Sequence, residues 1–156
     1  MTVAATGSTT ASAGNAIQAL QKSASAASDI SVTAGAVSAT NGTAVSAVNN
    51  GSGAASVTTN GTVNGVSAIV VRTANGAASA SVNGPVTSTG AGNKGISAIA
   101  SGSGAVSVTN NASVTGDAGI YAESNGGAVT VAGTGSTTAT TGNAIEALQK
   151  LSLIHI

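Results

Sequence analysis

The chain has 156 residues, one domain's worth, and four Lys and Arg balance four Asp and Glu to give a net charge of zero. It has no Cys and no basic patch, which excludes a disulfide framework and gives phosphate nothing to bind, so no nucleic-acid partner is expected. Its hydrophobic 42% is mostly Ala, Val and Ile without any Phe or Trp, so the core must be thin and needs a regular backbone to bring small side chains into contact.

Residues 2–22, TVAATGSTTASAGNAIQALQK, return as residues 130–150, TVAGTGSTTATTGNAIEALQK. Only four of the 21 positions differ, at Ala5/Gly133, Ser12/Thr140, Ala13/Thr141 and Gln18/Glu146, and the offset is 128 residues. Ala16-Ile17-Gln18-Ala19 opens a pattern of small–[Ile/Val]–x–Ala. The run Asn15 to Ala27 also fits a helix through its Ala content. Strand is favoured because the other copies carry Ser, Val and Gly there.

Ile30-Ser31-Val32 begins a second element, apolar–[Ser/Thr]–Val. It recurs at Ala55-Ser56-Val57, Ala80-Ser81-Val82, Val106-Ser107-Val108 and Val129-Thr130-Val131, in steps of 25, 25, 26 and 23. A weaker third element follows around Val37, Val63, Val86, Val114 and Thr137. The first pattern then returns at Ala44-Val45-Ser46-Ala47, Gly65-Val66-Ser67-Ala68, Gly95-Ile96-Ser97-Ala98, Gly119-Ile120-Tyr121-Ala122 and Ala144-Ile145-Glu146-Ala147. Its branched residue steps by 28, 21, 30, 24 and 25, a mean of about 25.6 residues. Asn49-Asn50-Gly51, Asn60-Gly61 and Asn110-Asn111 mark turns, where Asn tolerates left-handed φ and stacks in ladders.

Apolar–polar alternation has the strand period of two. One unit cannot bury its apolar row alone, but units stacked about 4.8 Å apart bury it against one another. The expected fold is therefore all-β, a parallel β-helix or solenoid of about six rungs, each with two to three short strands. The inward columns read Ile17, Val45, Val66, Ile96, Ile120, Ile145 and Ala19, Ala47, Ala68, Ala98, Ala122, Ala147. The outward column reads Gln18, Ser46, Ser67, Ser97, Tyr121, Glu146. Disorder is disfavoured by the abundance of Val and Thr at zero net charge.

Candidate chemistry is sparse. His155, the only His, lies in the aberrant tail, which leaves no Ser–His or Cys–His machinery. Asp117 and Glu123 could be posed as a carboxylate pair, but they fall on different rung positions and no cationic or aromatic sugar platform is evident beside them. There is no GxxxxGK[ST] phosphate loop and no calcium-binding nonapeptide. Ser31, Ser56, Ser81, Ser107 and Thr130 are too rich in Ser for a regular Thr ladder facing ice. Asn41, Asn60, Asn50 and Asn111 match the glycosylation acceptor pattern, although turns also favour Asn. No catalytic, cofactor-binding or metal residue is assigned.

Units such as GAVSVTNNASVTGDAGIYAESNGG (104–127) resemble the repeat region of autotransporter (type V secretion) passenger domains of Gram-negative bacteria. Those are adhesin-like β-helices carried outside by a C-terminal membrane barrel. The resemblance covers residues 2–150, and similar Gly/Asn/Ser/Val repeats occur in haemagglutinin-like adhesins and phage tail proteins. It implies a right-handed parallel β-helix at the bacterial cell surface, without cofactors. The implied partners are a host glycan or matrix surface, or another solenoid end offering unpaired strands. Membrane insertion of this segment is not expected, since its longest apolar run, Val66 to Val71, is interrupted by Ser67 and far shorter than the ~20 residues a helix needs. No secretory leader or barrel is evident.

The expected function is a non-enzymatic, secreted passenger segment serving as stalk or adhesion surface. A polysaccharide-degrading or tailspike-type enzyme is the alternative and needs charges clustered on one outward face, whereas the eight charged residues read as scattered over six rungs. A self-associating fibre is a further alternative. Residues 151–156, LSLIHI, break the repeat and back-translate as CTG TCT CTT ATA CAC ATC, like a transposon end used in sequencing libraries. Met1 aligns with Val129, whose GTG codon reads as Met at a start. Residues 1–150 are thus expected to be a β-solenoid fragment of a longer array, and 151–156 a non-native tail.

Overall fold

Ala, Val, Ile and Thr alternating with Ser and Asn suit a pleated surface with one buried face. The computed structural model describes residues 1–150, and over these the chain forms strands and no helix. The tail 151–156, with His155, lies outside the described residues.

Each of six turns contributes one strand to each of three sheets, and every pairing is parallel. Sheet A holds β1 (Thr2–Ala5), β4 (Ile30–Ala34), β7 (Ala55–Thr59), β10 (Ala78–Val82), β13 (Val106–Asn110) and β16 (Val129–Ala132). Sheet B holds β2 (Thr9–Ala11), β5 (Val37–Ala39), β8 (Val63–Gly65), β11 (Val86–Ser88), β14 (Val114–Gly116) and β17 (Thr137–Ala139). Sheet C holds β3 (Ile17–Gln21), β6 (Thr43–Asn49), β9 (Ser67–Thr73), β12 (Lys94–Ala100), β15 (Ala118–Ser124) and β18 (Ile145–Gln149). This is a parallel β-solenoid, and the run from Asn15 to Ala27 contributes strand β3 rather than a helix. At about 4.8 Å per turn, its six turns stack to roughly 25–30 Å.

Inward side chains of all three sheets meet in one core of Ile, Val and Ala. Neighbouring turns supply the burial. Ile120, with a turn on either side, is fully buried, whereas Ile145 in the same column on the last turn is 52% exposed.

The third sequence element matches its register throughout: Val37, Val63, Val86, Val114 and Thr137 form one column of sheet B, which Thr9 begins. The other two columns need correction. In sheet C the residue opposite Val45 and Ile96 is Ile69, not Val66, and Val71 takes the place expected of Ala68. The cause is corner length. Five residues, 89–93, separate β11 from β12, but Val66 alone joins β8 to β9. Val66 therefore sits half-buried at the corner, and the core column starts three residues later. With Ile69 in place, the spacing becomes 28, 24, 27, 24 and 25.

In sheet A, Ala78 rather than Ala80 lies opposite Ala55 and Val106, and Ala80 lies opposite Val57 and Val108. The alternating sequence Ala78-Ser79-Ala80-Ser81-Val82 tolerates a slip of two without moving any side chain to the wrong face. The steps become 25, 23, 28 and 23, so this element is no steadier than the others.

Glycines and buried amides shape the corner between sheets C and A. Gly53, Gly76, Gly104 and Gly127 stack in a column, where a Cβ would stand only 2.3, 2.1, 1.9 and 2.4 Å from the carbonyl oxygens of Ser28, Gly53, Gly76 and Gly104. Asn49 is buried there, donating to the carbonyls of Ser28 (2.9 Å) and Ala54 (3.1 Å) and accepting from the Gly51 N–H (3.0 Å). Ser124 does the same work in turn five, donating to Gly104 O at 2.8 Å and accepting from Gly127 N–H at 2.8 Å. Turn asparagines do not adopt the expected left-handed conformation. Among the described residues, positive φ occurs only at glycine, at Gly14, Gly92 and Gly133.

Candidate ligand-binding face

The outward surfaces of the three sheets differ in chemistry. Sheet A presents a column of Ser31, Ser56, Ser79, Ser107 and Thr130, beside Thr33, Thr58, Ser81 and Thr109. Ser81 thus belongs to the second column, and the first, which Thr2 begins, holds four Ser to two Thr. Sheet B presents Thr10, Ser38, Asn64, Thr87, Thr115 and Thr138. Both faces are small, hydroxyl-rich and uncharged.

Sheet C is different. One outward column reads Gln18, Ser46, Val70, Ser97, Tyr121, Glu146, with Val70 where Ser67 was expected and with Ser46 and Ser97 buried beneath their neighbours. The other reads Leu20, Val48, Arg72, Ile99, Glu123, Leu148. Arg72, Lys94, Glu123 and Glu146 lie in its strands, and Lys22 and Lys150 directly follow β3 and β18. Six of the eight charges that are scattered along the sequence are therefore gathered on one face. They are joined there by Tyr121, the only aromatic residue.

Tyr121 organises the C-terminal half of this face. Its hydroxyl donates to Glu123 Oε2, and Lys150 Nζ donates to Glu123 Oε1. Lys94 Nζ lies 5.0 Å from the centre of the Tyr121 ring, within cation–π range. Glu123 thus does have a cationic and aromatic setting, contrary to the reading from sequence. The ammonium of Lys150 and then the Tyr121 hydroxyl hold the Glu123 carboxyl below its usual range. The Tyr121 phenol is pushed up to about 12, first by its bond to Glu123, then by burial and by the charges of Glu123 and Glu146. Near neutral pH the phenol is therefore a fixed donor and Glu123 a fixed anion.

Asp117 stands apart from Glu123. It forms the one-residue corner between β14 and β15, where its carboxylate accepts from Thr140 Oγ1 (2.6 Å) and from the Gly92 N–H (2.6 Å). The Thr140 bond and then the Gly92 bond hold its carboxyl below the usual carboxylate range. Its backbone carbonyl accepts from Gly142 N–H at 2.7 Å. Asp117 thus ties turns four, five and six together at a corner, and does not pair with Glu123 as an acid–base couple.

On the same sheet a shallow recess of about 90 Å³ opens between turns three and four, lined by Ser67, Val70, Arg72, Asn93, Lys94 and Ser97. Among the described residues no group of three metal-ligating side chains converges. No helix among them is long and apolar enough to cross a membrane. No protein-family model, curated protein or solved structure matches the chain.

Proposed function

We propose that this chain is a non-enzymatic passenger segment of an autotransporter-like adhesin, displayed at the bacterial surface, with sheet C as its contact face and sheets A and B as inert stalk. The observation that carries the reading is the asymmetry of the solenoid's outside. Two sheets present mainly Ser, Thr and Asn, with Ala4 and Ala132 at the ends of sheet A, and the third gathers six of the eight charges, the aromatic ring and half-exposed Leu20, Val48 and Ile99. A flat, preformed sheet offering mixed polar and aliphatic groups suits contact with an extended surface rather than enclosure of a small substrate.

The enzyme alternative gains from the clustering of charges on one face. It is disfavoured by their protonation chemistry. A general acid acting on a glycosidic bond needs a raised carboxyl pKa, whereas the Glu123 carboxyl is pulled down and its two oxygens are engaged by Lys150 and Tyr121. The recess on this face is small and shallow, about 90 Å³.

The test is binding of the immobilised chain to glycans, matrix proteins and cells, compared with variants altered on sheet C (Arg72→Gln with Tyr121→Ala) or on sheet A (Ser56→Asn). Loss of binding with the sheet C changes alone supports the reading. Absence of binding to all three classes of target, or hydrolysis of a glycan by the native chain, sinks it. Light scattering that rises with concentration would favour the self-associating fibre.

A further inference from the structure

The recess on sheet C has a composition that its own fold does not explain. Arg72 projects outward from β9, between Val48 and Ile99 in its column, and Lys94 begins the next strand, β12. Both residues line the same small cavity, together with Ser67, Asn93 and Ser97. Among the described residues the one ion pair is Lys150 with Glu123, so neither Arg72 nor Lys94 has a carboxylate within reach. Arg72 stands opposite Ile99, five residues along β12 from Lys94, so the two side chains border the recess from opposite ends rather than as a directly facing pair.

The arrangement is complementary to an oxyanion. A guanidinium presents a planar fork of donors that matches a carboxylate or sulfate, and an ammonium adds a point charge. The cation–π contact with Tyr121 holds Lys94 on this face. Tyr121 is in turn anchored through its hydroxyl to Glu123. Glu123 lies one strand beyond Lys94's own and is paired with Lys150. Asn93, partly exposed at the recess, makes no side-chain hydrogen bond among the described residues and is available to a ligand.

We infer that the Arg72–Lys94 recess binds the oxyanion, carboxylate or sulfate, of an acidic saccharide. The choice of a saccharide rests on the adhesion reading above; the preference for an anion rests on the recess alone. The cavity admits one oxyanion and little else. The open face beside it, with Val48, Val70 and Ile99, leaves room for the rest of a sugar chain lying across the turns.

The experiment is a titration of the isotopically labelled full chain, followed by amide NMR, with three probes: a carboxylate-bearing uronic acid oligomer, a sulfated oligosaccharide and a neutral oligomer of similar length. Shifts confined to residues 67–72 and 93–97 with one or both acidic probes, and none with the neutral one, are expected. The acidic arm that responds identifies the oxyanion. Arg72→Gln and Lys94→Gln should each weaken binding by about fivefold or more, as loss of a charge-assisted bond implies. Added salt should weaken it further. The proposal is overturned if neither acidic probe gives localised shifts at millimolar concentration. Binding that persists undiminished in an Arg72→Gln/Lys94→Gln variant with an otherwise native spectrum would overturn it equally. Failure here leaves the adhesion reading to other parts of sheet C, whereas saccharide binding without attachment to cells would count against adhesion alone.

Discussion

Asn83 donates its side-chain amide to Asn60 Oδ1 at 3.0 Å, and Asn111 repeats that bond to Asn83 at 3.0 Å, so three asparagines from successive turns form a ladder. The ladder runs along the solvent side of the corner between sheets A and B. Asn83→Ala breaks both bonds but leaves its former partners in water, so the expected loss is at most about 1 kcal/mol. Asn49→Ala removes a buried amide that holds three backbone groups. The Ala54 carbonyl keeps its bond from the Ile30 N–H, but the Gly51 N–H and the Ser28 carbonyl lose this partner, and the expected cost is about 2–3 kcal/mol. Urea denaturation of the two variants tests the ranking, and an equal loss would contradict it.

The glycine column makes a sharper contrast. Gly76→Ala places a methyl group 2.1 Å from the Gly53 carbonyl oxygen, which is backbone and cannot swing away. Gly7→Ala meets nothing within 4 Å. Gly76→Ala should therefore lower the denaturation midpoint severely or prevent folding, by the several kcal/mol typical of forced backbone shifts. Gly7→Ala should fall within about 0.5 kcal/mol of the native chain.

The corrected register of turn three is also open to mutation. Ile69 is fully buried in the core column, whereas Val66 is a half-buried corner residue. Ile69→Ala should cost about 2–5 kcal/mol, the range for large-to-small changes in a packed core. Val66→Ala should cost under about 1 kcal/mol, because less area is lost from burial. Thermal melts would show the reverse order if Val66 were the core residue.

Tyr121 reports on sheet C directly, since no other aromatic residue is present. Its phenol should titrate near 12 by ultraviolet absorbance in the native chain, and move back toward its ordinary value of 10.0 in Glu123→Ala. The folded value lies above the unfolded one. Stability from the Tyr121–Glu123 bond is therefore fully present below pH 10.0 and lost as pH rises through about 12. An unshifted phenol in the native chain would contradict the bond.

The strand period of two was legible along the whole chain, because alternation is local. So was the stacking of turns, because no single unit of Ala, Val and Ile buries its own apolar row. The column Val37, Val63, Val86, Val114 could be read with its register intact, because the corner between sheets A and B keeps nearly constant length. The glycine column was also within reach, since Gly53, Gly76, Gly104 and Gly127 step by 23, 28 and 23, in phase with the Val63–Val86–Val114–Thr137 column. Its signal was masked by the chain's 22 glycines.

Sequence alone therefore determined that this protein is a stack of short parallel strands with an aliphatic core and a polar outside. Tertiary structure decided which residues share a column and which share a face. The corner between sheets B and C varies from one residue at Val66 and Asp117 to five at 89–93, so spacing cannot decide between Val66 and Ile69. Hydrogen bonding between turns decides it. The same corner places Arg72 on the strand beside the one that Lys94 begins, and Tyr121 on the strand beyond, although 22 and 27 residues of chain separate them. Such neighbours leave no local pattern, because their contact arises only when one turn lies on the next.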